Sequence, residues 1–181
     1  MFNVYENTEM VMKAIDILQK KGAKATFFVG GCWADDNEKA LNRIKECGHE
    51  IANHGYFHKD HANLSYQKNI EEIENTQRIV EALCRVKPNL FAPPSGSFSD
   101  VTLSAANFLG YKTIMWSIDT IDWRDKDENL IIKRISKKVK GGDLILMHPK
   151  AHTIAALDRI IDLIVKKGLN LVTVSENILD A

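Results

Sequence analysis

No stretch of this chain approaches the ~20 consecutive apolar residues that a membrane-spanning helix needs, so the sequence holds no such segment. Charge of one sign is missing too: Lys plus Arg and Asp plus Glu stand at 24 each. That balance gives no reason to expect nucleic acid or an acidic membrane surface as partner. Cysteine is scarce, with Cys32, Cys47 and Cys84 far apart and no C-x-x-C pair. An odd, widely spaced set argues against a disulfide framework or a zinc knuckle and for buried or incidental thiols. No basic region followed by an apolar one opens the chain, so no signal peptide is read there. Linkers, repeats and low-complexity tracts are absent as well.

What is there is the composition of an ordinary folded domain, 45% hydrophobic and 27% charged over 181 residues, enough to bury a real core. One domain over 1–181 is expected. Met1-Phe2-Asn3-Val4 reads as the end of a strand running straight into a helix, so native sequence is expected to precede Met1, and the missing signal says little about compartment.

Strand-length apolar runs alternate with amphipathic stretches of helix length. Ala25–Val29 is β-rich and closed by Gly30-Gly31, and Glu50–Asn53 is a short strand. Leu90–Ala92 is cut off by Pro93-Pro94; Lys112–Ser117, Asp143–Met147 and Leu169–Val174 complete the strands. Between them the helical spacing of Met10, Val11, Ala14, Ile15 and Leu18 predicts a helix stopped by Gly22. Ala40, Leu41 and Ile44 predict a second. A long helix is expected from Ser65 through Ile70, Ile73, Ile79, Val80 and Leu83, with further helices over 101–109, 130–139 and 155–167. About seven strands separated by helices is the pattern of a parallel α/β sheet or barrel, and a (β/α) barrel rather than an open sheet is expected.

In such folds functional groups gather at the carboxyl ends of strands. Four polar clusters fall there: Asn53-His54 with His58, Pro93-Pro94-Ser95-Gly96, Asp119 to Trp123, and His148-Pro149. In a helical or turn conformation His54 and His58, four apart, lie on one face and can chelate a cation. Taken alone, such a pair is more often a surface or structural one. His61 reads as an exposed loop histidine. His148 ends an apolar strand, where Asp122 could fix one tautomer and fit it for proton donation. Trp123 supplies an apolar wall or is plain core. Ser95, His148 and Asp122 have the residue types of a hydrolytic triad, but Ser95 lies in a Pro-Pro-Ser-Gly turn and not in a G-x-S-x-G elbow.

These clusters resemble the motifs of the polysaccharide deacetylases, the NodB-homology or carbohydrate esterase family 4 domains. Asn53-His54-Gly55-Tyr56-Phe57-His58 is similar to H-[ST]-x-x-H, Phe91 to Gly96 to the R-x-P-[YF]-G motif, Asp119 to Trp123 to D-x-x-D-W, and Leu146-Met147-His148 to L-x-H. The wording Ala-Pro-Pro-Ser-Gly is closest to sporulation-associated deacetylase-like members. The resemblance implies a distorted barrel, usually of seven strands, and metal-dependent removal of N-acetyl groups from chitin- or peptidoglycan-like polymers. It implies His54 and His58 as ligands of a divalent cation, zinc first, with cobalt or another cation in its place. It implies His148, oriented by Asp122, as the acid that protonates the leaving amine. The Ser95 backbone N–H becomes the oxyanion donor, with Pro94, Trp123 and Leu146 beside it at the substrate. It suggests an extracytoplasmic, cell-wall or spore setting.

The first family motif, T-F-D-D-G, falls on Met1 to Tyr5. The base aspartate becomes Asn3 and the metal-ligand aspartate becomes Val4, with Glu6 as a substitute carboxylate to be considered. The arginine that pairs with the base becomes Ala92, and Gly55 stands for Ser/Thr. Two expectations result: a deacetylase with an altered base, or an impaired barrel that binds cell-wall glycan or a partner.

Overall fold

A parallel sheet covered on both faces needs strands that are apolar on both sides, and Thr26-Phe27-Phe28-Val29 is buried at every position. The computed structural model describes residues 1–179. Its strands are β1 (Phe2–Val4), β2 (Thr26–Val29), β3 (Glu50–Asn53), β4 (Leu90–Phe91), β5 (Lys112–Thr113), β6 (Ile118–Asp119) and β7 (Ile145–Leu146). The helices are α1 (Thr8–Lys20), α2 (Gly31–Asp36), α3 (Glu38–Glu46), α4 (Tyr66–Cys84), α5 (Asp100–Phe108), α6 (Glu128–Lys138), α7 (Ala151–Lys166) and α8 (Val174–Leu179). Strands β1 to β5 pair in chain order, all parallel; β6 and β7 form a second parallel pair. A bridge between Phe2 and Met147 joins β7 to β1. The result is the expected distorted (β/α) barrel, open between β5 and β6.

Strand alternation sorts the core into two layers. Phe2, Val4, Phe27 and Val29 point outward into one large cluster with α1, α3 and α7. Phe28, Ala52, Leu90 and Ala92 point inward with Ile114 and Val174. None of the described helices is long and apolar enough to cross a membrane.

Two expected strands are corrected. The run Lys112–Ser117 is not one strand. The Ile114 N–H bonds to Phe91 O on β4, whereas the Ser117 N–H bonds to Leu144 O beside β7, so this segment crosses the gap and serves two sheets. Leu169–Val174 forms no ladder. Strand β7 already has β6 on one side and β1 on the other, so neither edge of β7 is free for it, and the Leu171 carbonyl accepts the Lys24 N–H ahead of β2. Its Leu169 and Leu171 pack on the outer core instead, and α8 begins at Val174. Helix α2 was not expected: Gly31 opens it because a Cβ there would come within 2.2 Å of the Tyr56 ring.

Candidate functional site

The site is assembled from the segments just beyond the strand ends. After β3 the His54 N–H still bonds to Val29 O, which fixes the side chain at the barrel rim, buried. Its Nδ1 lies 2.7 Å from the Ala92 carbonyl, which can only accept, so Nδ1 carries the proton and Nε2 keeps its lone pair. Burial lowers the His54 pKa to about 3, against the Ala92 hydrogen bond, so the ring is neutral at ordinary pH. The chain then turns through Gly55 (φ 71) and reaches His58 (φ 54). The His54 and His58 rings stand 5.2 Å apart at 69°. Tyr5 covers His58, ring to ring at 4.0 Å. Burial lowers the His58 pKa as well.

The loop is held from α4. One oxygen of the buried Glu72 accepts the Tyr56 and Phe57 N–H groups at 2.9 and 2.8 Å, while the other faces Lys59 Nζ at 3.3 Å. His61, expected in an exposed loop, is fully buried: its Nδ1 bonds to Asn69 Oδ1 at 2.7 Å and its ring packs on Phe91. The α4 residues that turn inward include Asn69, Glu72 and Thr76, whereas the expected Ile70 and Ile79 are only half-buried.

The donor set does not extend further. Val4 is wholly buried in the outer core and carries no donor atom. Glu6 is paired with Lys150. Among the described residues no three His, Cys, Asp or Glu side chains converge as a metal site. The two imidazoles therefore fall short of the three protein ligands of a catalytic zinc. Asn3 sits beside Phe28 in the ladder, and its Oδ1 is buried with no hydrogen-bond partner. Ala92 shares the inner cluster with Phe28 and offers no donor to it.

Asp122 and His148 do meet. Ile121 takes a positive φ of 56°, its N–H bonded to Asp119 Oδ1, and this turn carries Asp122 inward. Asp122 Oδ1 lies 2.7 Å from His148 Nδ1, and Oδ2 accepts the His148 N–H at 2.7 Å and the Thr153 hydroxyl at 2.8 Å. Burial pushes the Asp122 carboxyl up, but its hydrogen bonds to His148 and Thr153 and the charge of His148 together hold it below its usual value. His148 follows Met147, whose carbonyl accepts the Asn3 N–H of β1, and the His54 N–H bonds to Val29 O at the end of β2, so both halves lie at the same end of the barrel. Ser95 is exposed, in a left-handed turn (φ 55) after the buried Pro94, and its hydroxyl makes no hydrogen bond to His148. Leu146 is buried on β7, whereas Trp123 is 57% exposed, with Nε1 3.4 Å from Asp119. Trp123 is therefore not core.

Sequence reasoning missed Tyr5, Glu72 and Thr153. The stripe Asn69, Glu72, Thr76 at helical spacing was a signal for Glu72; Tyr5 and Thr153 carried none. A separate cavity of about 310 Å³ opens at the other end of the barrel, among Lys24, Thr26, Asp143 and Asn177, and includes none of the predicted site residues.

A polysaccharide deacetylase family model matches residues 2–114. The chain is 39% identical to the uncharacterized protein YlxY of Bacillus subtilis over 176 residues, 97% of this chain and 55% of that one, so it spans about half of that relative's length. It is 33% identical to a peptidoglycan-N-acetylglucosamine deacetylase of Bacillus cereus over 170 residues, 91% of this chain and 79% of the relative. The crystal structure of BA3943, a CE4 family pseudoenzyme from Bacillus anthracis, superposes with a TM-score of 0.94 at 34% identity, covering 97% of this chain and 62% of that one. A mutant of that protein, described as having restored enzymatic activity, superposes with a TM-score of 0.93 at 32% identity, covering 97% and 64%.

Proposed function

The chain belongs to the polysaccharide deacetylase family, and from that premise we propose a deacetylase-fold domain that binds N-acetylated amino-sugar polymer of the peptidoglycan type but lacks the base-and-cation half of the hydrolytic machinery. The observation that carries this reading is Asn3. An amide cannot take a proton at working pH, and its buried Oδ1 meets no donor, while Ala92 leaves empty the role of the family's arginine. The acid half is complete. Asp122 holds His148 in one orientation, so His148 Nε2 is free to hand a proton to a leaving amine. The Ser95 backbone N–H takes the place of the oxyanion donor, and Pro94, Leu146 and Trp123 frame the acetyl group. A divalent cation, zinc first, supplies carbonyl polarisation and water activation when bound; here His54 and His58 are two ligands without a third. The setting that fits this reading is the cell wall, outside the cytoplasm, where a peptidoglycan-type polymer lies.

A second reading, a slow metal-dependent deacetylase, is favoured by one observation: His54 presents an unprotonated Nε2, the form that binds a cation. Release of acetate from chitooligosaccharides and peptidoglycan fragments, with and without Zn²⁺ or Co²⁺, separates the two. The expected result is polymer binding without acetate and no zinc uptake at micromolar concentration. The triple variant Asn3→Asp, Val4→Asp, Ala92→Arg is expected to gain both zinc uptake and acetate release. Acetate release by the unaltered chain that disappears in His148→Ala establishes the second reading, and failure to bind either polymer ends the first.

A further inference from the structure

The loop that carries His54 and His58 also builds a feature that neither half of the deacetylase machinery uses. Phe57 is 59% exposed, and its ring has two neighbours: Tyr56 meets it edge-to-face at 4.6 Å, and Lys59 Nζ lies 5.1 Å from its centroid. An aromatic ring with surface left open is what the C–H face of a sugar stacks on, because polarised C–H groups meet the negative π face. Phe98, also exposed, belongs to the same sector, since its neighbour Ser97 donates to Asp60.

The cation beside that ring is lightly committed. At the rim, Arg124 is bound to both oxygens of Asp125, and Lys150 is paired with Glu6. Lys59 faces Glu72 at 3.3 Å, but the other Glu72 oxygen already takes two backbone N–H groups. The remaining carboxylates nearby are engaged elsewhere: Glu71 with Lys68, and Asp60 with Ser97, Asn63 and the Ala62 N–H. The Lys59 side chain is 47% exposed, and Glu72 is its one ion-pair partner among the described residues, so an ammonium with three N–H donors keeps capacity for a ligand.

We propose that Phe57 and Lys59 form a sugar subsite beside His58 that selects an N-acetylated amino sugar carrying a carboxylate. The sugar ring stacks on Phe57 and the carboxylate pairs with the Lys59 ammonium. The inference rests on the recognition of amino-sugar polymer proposed above and names the class of sugar within it. It separates alternating polymers that contain N-acetylmuramic acid from chitin-type polymers, which are neutral.

The test compares dissociation constants of the full chain for two oligosaccharides of equal length, a chitooligosaccharide and one alternating with N-acetylmuramic acid. Tighter binding of the acidic one is expected, by about two- to fivefold for an exposed ion pair, shrinking with added salt. Lys59→Gln is expected to abolish the preference and Lys59→Arg to keep it, while Phe57→Ala weakens both ligands together. Equal affinities in the unaltered chain, or a preference unchanged in Lys59→Gln, overturn the subsite and leave the broader recognition standing. If neither oligosaccharide binds the unaltered chain, both proposals fall.

Discussion

His49 and His61 are buried histidines with lone pairs or N–H groups that meet nothing: both ring nitrogens of His49 and Nε2 of His61. Each such group loses its water on folding at a cost of about 1–3 kcal/mol. At His61 the cost is offset by Asn69, and its position explains Gly55, since a Cβ on Gly55 would stand 2.8 Å from His61 Nε2. The glycine in place of the family's Ser/Thr therefore makes room for His61, in a backbone conformation (φ 71) that glycine adopts freely. His49 has no such partner and only packs on Phe27. Burial lowers its pKa from 6.5 to about 4. The unfolded chain therefore takes up this proton first as pH falls: the His49 contribution is complete above pH 6.5 and is lost on the way down toward 4. His49→Leu is expected to stabilise the domain by roughly 1 kcal/mol at pH 7, with a gap that widens at pH 5. Urea midpoints of both proteins at the two pH values check this; a gap that narrows on acidification refutes it.

At the scale of the element, α4 and α7 act as struts that deliver their polar residues to loops outside themselves. Helix α4 starts at Ser65, whose side chain accepts the Lys68 N–H, and presents Asn69, Glu72 and Thr76 inward. Glu72 thereby fixes the His54–His58 loop at Tyr56 and Phe57, and α7 does the same for Asp122 through Thr153. A hydrogen bond to a charged group contributes about 1.5–3 kcal/mol. Glu72→Ala is therefore expected to speed amide exchange of Tyr56 and Phe57 by roughly ten- to hundredfold while the α4 interior keeps its protection. NMR-detected hydrogen exchange reads this directly, and unaltered rates at those two amides would remove Glu72 from the role.

At the scale of the molecule, the barrel has a seam. Strands β2 and β3 are paired on both sides, but β5 and β6 are two-residue strands that do not pair with each other. Few ladder bonds and exposed flanks place a segment at the low end of local stability. In low denaturant, amides across 112–119 are expected to exchange through openings of smaller free energy than Phe27, Phe28 and Ile51. Native-state exchange that finds one common opening energy for both regions would show the seam to be fully cooperative with the rest.

The sequence by itself determined the alternation of strands and helices, the parallel α/β class and the pairing of His148 with Asp122. These come from local periodicity and from residue types placed at strand ends. By resemblance to the family's motifs, it also leads to the expectation that Asn3, Val4 and Ala92 stand where the family carries charged residues. Other features depended on which chain segments end up adjacent. Leu169–Val174 has the residues of a strand, but β1 and β6 had already taken both edges of β7. Lys112–Ser117 reads as one strand and became two, because its two ends face different neighbours. Glu72 under the loop, Tyr5 over His58 and His61 beneath Gly55 join residues from separate elements. Periodicity records which face of an element is buried, and only the assembled fold decides what that face meets.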